Sequence, residues 1–323
     1  MSLAQSNPIL SATVVICTHN RADKLSACLR AIAQLRYPEY SVLVVENGDA
    51  DGRTLPLCEK LGVRYLHSPI IGLSRARNDG ARACSTELIA YTDDDALPHE
   101  DWLEGLANEF HEPSVMASAG VVLPLDCETA QARRPAEIPA SVGRERRVVD
   151  RTTADWFAQT NFGGVGIGTN MCFRRAAFEL WPGFDERLGR GAPLNSAEEH
   201  FAFFQLVLRG FKCVYTPRAV VSHPEPDGLE ELQRIHYKNL SNAVAYAGLL
   251  WSEFPETRGA LLKHLWSRTF GERRKVRADR DHAMNSWRKE LQAIADGIRL
   301  FWKLPKPMRR EALIQVTQAQ NIS

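Results

Sequence analysis

No stretch of this chain is apolar for long enough to cross a bilayer, so a membrane-spanning anchor is not expected. The N-terminus has no basic patch leading into an apolar run, so no secretory leader is expected either. The seven cysteines are odd in number and none falls in a C-x-x-C pair, which argues against a disulfide framework or a thiolate metal site. Cys17, Cys58, Cys84, Cys172 and Cys213 sit among apolar or small neighbours, as reduced core thiols do, and point to the cytoplasm. Charge of one sign is lacking as well. Forty Lys+Arg against 39 Asp+Glu leave a formal +1, too little for a nucleic-acid partner to be expected. The distribution is nonetheless uneven. Residues 228–323 hold 17 basic and 10 acidic side chains, a balance of +7, which leaves −6 on residues 1–227. An acidic body suits a metal site and a basic tail suits an anionic ligand or surface, although solvated helices would account for the tail equally well.

What the sequence does contain is alternation. Apolar runs at Thr13–Cys17, Val42–Val45, Val63–Leu66, Leu88–Tyr91 and Ala119–Leu123 read as buried strands. Ala22–Gln34 and Leu73–Cys84 have helical spacing between them. Strands separated by helices predict an α/β sheet covered on both faces, with ligands beyond the carboxyl ends of the strands. The site should then be built from Thr18–Arg21, Glu46–Asp51 and Asp93–Asp95. Residues 124–155, with Pro124, Pro135, Pro139, Arg133, Arg134, Arg144, Arg146 and Arg147, break the pattern and read as a surface excursion or lid. A strand at Met171–Phe173, a helix at Ala197–Arg209 and one or two strands within Val214–Ser222 follow. From Gly228 onward the spacing is helical, broken near Pro255, Gly271 and Pro305.

Three adjacent carboxylates, Asp93-Asp94-Asp95, repel one another unless a cation neutralises them. Oxygen ligands with room for phosphates suit Mg²⁺ or Mn²⁺. At a strand end Asp93 and Asp95 would face one side together, although an acidic turn capping the next helix would look the same. Glu198-Glu199 opens a helix, where acidic residues favour the dipole in any protein; the functional alternative is a general base. In Arg75-Ala76-Arg77-Asn78, Arg75 and Asn78 share a helix face with Arg82, and arginines there could meet diphosphate oxygens, support the Asp cluster or form surface ion pairs. His223 ends an apolar strand directed at the same region and is a candidate third metal ligand. The run Gly163-Gly164-Val165-Gly166-Ile167-Gly168 lies far from the first strand and opens no helix, so it is not a dinucleotide fingerprint; its small residues could let an acceptor sugar approach the backbone.

Taken in order, several segments resemble the family 2 glycosyltransferases. They are Val14-Val15-Ile16-Cys17-Thr18-His19-Asn20-Arg21, Val44-Val45-Glu46-Asn47-Gly48, Gly72-Leu73-Ser74-Arg75-Ala76-Arg77-Asn78 and Ala90-Tyr91-Thr92-Asp93-Asp94-Asp95. Gly168-Thr169-Asn170-Met171, Gly183-Phe184-Asp185-Glu186 and Glu198-Glu199 follow, so the resemblance covers roughly residues 11–224. It implies the GT-A fold, a mixed sheet with helices on both faces, over residues 1–227. Within it, residues 1–123 would be the nucleotide-sugar half, 124–155 the excursion and 156–227 the acceptor half, with a helical region at 228–323. It also implies an inverting, single-displacement transfer from a UDP- or GDP-sugar to a saccharide or glycolipid hydroxyl, as in bacterial polysaccharide synthesis. Asp93 and Asp95 match the family's metal motif, with His223 as the third ligand of Mn²⁺ or Mg²⁺. Thr18, Asn20, Arg21, Glu46, Arg75, Asn78, Asp93 and Asp94 would bind the nucleotide. Glu199 stands where the family usually has the Asp of a Glu-Asp pair, which leaves the base open between Glu198 and Glu199. Glu46 replaces another usual Asp, which leaves the nucleotide open. The QxxRW motif of processive synthases is absent, so one sugar per encounter is expected.

Two other classes compete. A nucleotidyltransferase would want a glycine-rich, lysine-containing loop after the first strand, where this chain has Thr18-His19-Asn20-Arg21. A catalytically inactive nucleotide-sugar-binding module would not need the Asp cluster and the glutamate pair together. Trp251, Trp266, Trp287 and Trp302 lie among basic clusters such as Arg273-Arg274-Lys275 and Lys303-Leu304-Pro305-Lys306. The favoured reading is helix packing with the tryptophans in the core; the alternatives are that the region binds an acceptor, forms a homodimer contact or rests on the inner face of a membrane.

Overall fold

The computed structural model describes residues 8–125, 143, 145–224, 228–267 and 287–306. The first β-branched run forms β1 (Ala12–Thr18), followed by α1 (Ala22–Ile32), β2 (Tyr40–Asn47), α2 (Thr54–Leu61), β3 (Arg64–Ser68), α3 (Leu73–Arg82) and β4 (Leu88–Asp93). These four strands pair in parallel in the order β3-β2-β1-β4. Successive side chains on β1 point to opposite faces, and both faces are apolar because both are covered. Val14 and Ile16 pack with Leu25 and Leu29 of α1, whereas Val15 packs with Ala76 and Ala81 of α3.

The second half turns the sheet mixed. In chain order come β5 (Leu97–Pro98), α4 (Trp102–Ala107), β6 (Val115–Pro124), β7 (Arg147–Val149), α5 (Trp156–Asn161), β8 (Met171–Arg174), α6 (Ala177–Leu180), α7 (Glu198–Leu208) and β9 (Lys212–His223). β8 pairs antiparallel with β4 and with β6, while β6 and β9 run parallel. The short β5 pairs antiparallel with β9, Leu97 opposite Ser222, which returns the chain after Asp95 to the end of β9. Among the described residues the sheet has nine strands, in the order β3-β2-β1-β4-β8-β6-β9-β5, with β7 on β9.

Part of the expected excursion at 124–155 is built into this sheet. Arg147–Val149 pairs with Cys213–Tyr215, and the Arg147 guanidinium lies 4.2 Å over the Tyr215 ring. Arg146 pairs with the buried Glu109. Pro135, Pro139, Arg133, Arg134 and Arg144 lie outside the described residues. The short helices α2, α5 and α6 have too few turns to show a periodic stripe and are not expected from the sequence, whereas α4 is the helix expected after the Asp cluster.

Beyond β9, α8 (Gly228–Glu253), α9 (Arg258–Trp266) and α10 (Trp287–Lys303) follow, with a single 3₁₀ turn at Pro255–Thr257. Ala245, Tyr246, Leu249 and Leu250 of α8 share a core with Phe201 and Phe204 of α7, and Leu261 of α9 joins it. The expected packing is therefore present, but the tryptophans do not supply it. Trp251, Trp266 and Trp302 are exposed, because the interior is filled by phenylalanine, leucine and tyrosine instead. No burial is described for Trp287, and Arg273-Arg274-Lys275 lie outside the described residues. Among the described residues no helix is long and apolar enough to cross a membrane.

One buried amide holds the centre of the mixed half together. The β6–β9 register shifts between Ala119 and Val121, and Asn170, fully buried, fills the irregularity. Its Nδ2 donates to the carbonyls of Val121 (2.8 Å) and Ala219 (2.9 Å), while its Oδ1 accepts from Trp102 Nε1 (2.9 Å). Asn170→Ala strands a buried indole N–H and is expected to lower the unfolding free energy by about 3 kcal/mol. Urea denaturation checks this, and an unchanged midpoint would mean that the three bonds contribute nothing net.

Candidate active site

The carboxyl ends of β1 and β4 and the start of α7 meet around a cleft of about 660 Å³. Of the residues expected at a site, Thr18, Arg21, Asp93, Asp94, Glu198 and Glu199 line it. Asp94 is buried and fully engaged: Thr18 Oγ1 donates to it at 2.7 Å and Arg21 Nη1 at 3.0 Å. Asp95 faces the other way. It meets Arg21 at 3.1 Å, Lys24 at 3.2 Å and His223 Nε2 at 3.2 Å. Burial works to raise the Asp95 pKa, but His223, Lys24 and Arg21 outweigh it and hold the carboxyl well below its ordinary range.

Asp93, Asp95 and His223 offer ligand atoms that all lie within 4.8 Å of one another. Two carboxylate oxygens and an imidazole nitrogen form a donor set that Mn²⁺ accepts readily and Mg²⁺ tolerates. The residues present therefore fit a divalent cation. The pairing of β5 with β9 is what makes the cluster, since it sets Asp95, two residues before Leu97, beside His223, one residue after Ser222.

Beneath the cleft lies Arg77, 2% exposed. Its Nη1 donates to Glu198 Oε1 at 2.7 Å, its Nη2 donates to the Gly168 carbonyl at 3.2 Å, and the same nitrogen is 3.8 Å from Asp93. Thr169 Oγ1 donates to Asp93, and the backbone N–H of Gly168 points to Glu199 at 3.4 Å. The segment 168–170 thus touches the Asp cluster, the glutamate pair and the central sheet in turn.

The two glutamates differ. Glu198 is buried and committed to Arg77; burial and the charge of Glu199 push its pKa up to about 7 against the pull of the arginine. Glu199 is half-buried. Burial acts to raise its pKa, yet His200, Arg77 and the Gly168 N–H bring it below the ordinary glutamate value. The residue before the pair, Ala197, adopts a left-handed conformation (φ 71°), a strain of about 1 kcal/mol for a non-glycine residue at the cleft edge. Cys17, also at the wall, has its thiol raised by desolvation to about 12, which leaves no thiolate nucleophile there.

Other expected residues lie elsewhere. Asn78 clamps the backbone of Phe184, donating to its carbonyl and accepting from its N–H, both at 2.8 Å. Arg75 pairs with Glu186. Glu46 is buried, accepting from Tyr65 Oη at 2.5 Å and from the Asp51 N–H at 3.2 Å. Asn20 occupies the left-handed turn (φ 55°) that swings the chain from β1 into α1. None of these four lines the cleft. In the glycine run, read as room for an acceptor, a Cβ at Gly166 would meet Ala119 at 2.3 Å and one at Gly168 would meet Arg77 at 2.7 Å, while Ile167 and Gly168 line the cleft. Conversely, Arg190, Asn195, Ser196 and Asn239 line the cleft without having been singled out. Asn239 comes from α8, so the C-terminal helices contribute to the cleft.

Removing Arg77 leaves Glu198 buried without its cation. Arg77→Met is expected to cost about 3 kcal/mol or more, and Glu198→Gln added to it should recover part of that loss. Urea unfolding of the two single variants and the double variant checks the coupling; strictly additive losses would mean that the pair does not act as one unit.

Comparison with known proteins places this geometry. A 219-residue stretch is 29% identical to the pre-mycofactocin glycosyltransferase of Mycobacterium tuberculosis, covering 65% of this chain and 42% of that protein. The chain thus spans less than half the length of that relative. A mannosyltransferase of Pyrobaculum calidifontis in complex with GDP-Man and Mn²⁺ superimposes with a TM-score of 0.60 at 17% identity, covering 98% of this chain and 82% of that one. TarS of S. aureus, residues 1–349 in complex with UDP-GlcNAc, superimposes with a TM-score of 0.52 at 17% identity, covering 97% and 88%. These likenesses show the GT-A fold. Residues 13–181, more than half of the chain, match the family described as glycosyl transferase family 2, and the protein belongs to that family.

Proposed function

We propose that the protein transfers a sugar from a nucleoside diphosphate donor, a UDP- or GDP-sugar, to a hydroxyl acceptor with inversion at the anomeric carbon. The observation that carries this reading is a cation-ready Asp93–Asp95–His223 group that reaches the cleft through Asp93, with the carboxylate of Glu199 lining the same cleft. The two structural likenesses with bound nucleotide sugars, one of them with Mn²⁺, support the same donor class.

Asp93, Asp95 and His223 would hold Mn²⁺ or Mg²⁺. The chemistry a divalent cation supplies in such a site is neutralisation of the charge that builds on the departing diphosphate. Thr18 and Arg21 fix Asp94, which keeps the strand end rigid beneath the nucleotide. Glu199 takes the proton of the acceptor hydroxyl as its oxygen bonds to the anomeric carbon and the bond from that carbon to the diphosphate oxygen breaks. Glu198 is a positioning residue, since its carboxylate is occupied by Arg77.

Calorimetric titration of UDP and GDP with and without Mn²⁺ tests the donor site. Metal-dependent binding of one nucleotide, lost in Asp95→Ala, is the expected result, and binding of neither under any condition would sink the reading. Turnover separates the glutamates. At saturating Mn²⁺, Glu199→Gln should lower kcat by at least about 10²-fold with nucleotide affinity unchanged. Glu198→Gln should mainly lower the unfolding midpoint. The reverse pattern would assign the proton transfer to Glu198.

A further inference from the structure

α10 is apolar on two sides. Its inner side meets the body of the protein: Ala293 is buried, Leu300, Phe301 and Leu304 pack into the core shared with α7 and α8, and Tyr237 of α8 donates to Asp296 at 2.5 Å. Its outer side carries Leu291, Ile294, Ile298 and Trp302, 55%, 38%, 48% and 78% exposed. They recur at intervals of three and four residues, which places them on one stripe. Exposed single apolar residues are ordinary on a protein surface; an aligned stripe ending in a nearly bare tryptophan is not.

The charge beside the stripe identifies what it faces. Lys303 and Lys306 are exposed at its Trp302 end, whereas Lys289, nine residues before Ile298, lies on the opposite side of the helix and Arg299 is paired with Asp296. Of the two acidic side chains on the helix, Asp296 is already engaged by Tyr237, Gln292 and Arg299, leaving Glu290. A second copy presenting the same face would set cation against cation. A surface that is apolar beneath and anionic at its head groups satisfies both features, with tryptophan at the boundary and lysine stems reaching the phosphates.

We propose that the outer face of α10 docks this protein on an anionic phospholipid surface. Leu291, Ile294, Ile298 and Trp302 enter the head-group boundary, and Lys303 and Lys306 meet the lipid phosphates. The docking does not depend on the transfer reading, and its failure would leave that reading untouched.

Flotation of the full chain with vesicles tests it, using phosphatidylcholine alone and phosphatidylcholine mixed with phosphatidylglycerol. The expected result is binding to the mixed vesicles, weakened by salt. The double variants Ile298→Glu/Trp302→Glu and Lys303→Glu/Lys306→Glu should each weaken binding at least about tenfold while the thermal midpoint stays unchanged. No binding at low salt overturns the proposal, as does equal binding to both vesicle types. A dimer by light scattering that Ile298→Glu/Trp302→Glu converts to monomer, with no vesicle binding, assigns the face to self-association and also overturns it.

Discussion

A guanidinium buried under a cleft floor has to find carboxylates, and Arg77 finds them on two different elements. Glu198 belongs to the first turn of α7 and Asp93 to the last residue of β4, while Arg77 itself sits in the middle of α3. The cost of burying the charge is met only if all three elements keep their places. Further contacts tighten the requirement. The Arg77 carbonyl accepts from Tyr91 Oη at 3.0 Å, and the guanidinium lies 5.6 Å over the Phe184 ring. Phe184 is in turn fixed by Asn78, one residue on from Arg77. The motif Arg77-Asn78 therefore acts mostly inward. It fixes the floor on which the cleft residues stand, and Arg77 also reaches the cleft wall.

The electrostatics of the cluster argue for a cation on their own terms. Asp93, Asp94, Asp95, Glu198 and Glu199 are five carboxylates; their ion-paired full-time cations are Arg21, Lys24 and Arg77. Two negative charges remain in excess, and His223 can offset one only by keeping a proton. A diphosphate entering such a cleft would meet repulsion from the carboxylates; Arg21 and Arg77 are already engaged with them, and Arg190 lines the wall as well. A divalent ion held by Asp93, Asp95 and His223 would reverse the local sign where the proposed anionic donor would sit. Burial and the neighbouring charge of Glu199 raise the Glu198 pKa against the pull of Arg77, another expression of the same excess.

The parallel half of the sheet was legible because each strand is a β-branched run bounded by turn residues and separated from the next by a periodic helix. The Asp93–Asp95 motif was legible because it sits at the end of such a run. The neighbourhood of His223 depends on β5, two residues long, which no pattern in the sequence announces. On α3 the helical wheel misled. Arg75, Asn78 and Arg82 look like a solvated face beside an apolar one, yet the buried side of the helix is Ser74, Ala76, Arg77, Asn78, Gly80 and Ala81. A buried arginine carries the same letter as an exposed one, and only tertiary partners tell them apart. The glycine run shows a related ambiguity: small residues signal close approach, but Gly166 and Gly168 approach the protein's own Ala119 and Arg77 while Ile167 and Gly168 also line the cleft.

The tryptophans of the C-terminal helices show the limit most plainly. A helix that is apolar on nearly all sides is ordinarily read as buried. In α10 one apolar side, around Ala293 and Phe301, is satisfied by the protein itself, so core packing alone explains half of its composition. The other half, ending at Trp302, stays largely exposed, although the Trp302 ring touches Phe301. Composition cannot distinguish a helix with two protein partners from one with a protein on one side and another phase on the other. Lys303 and Lys306 at the Trp302 end of the stripe are what separate the cases, because a second protein layer would have to leave them beside an apolar contact, where an anionic surface would pair with them.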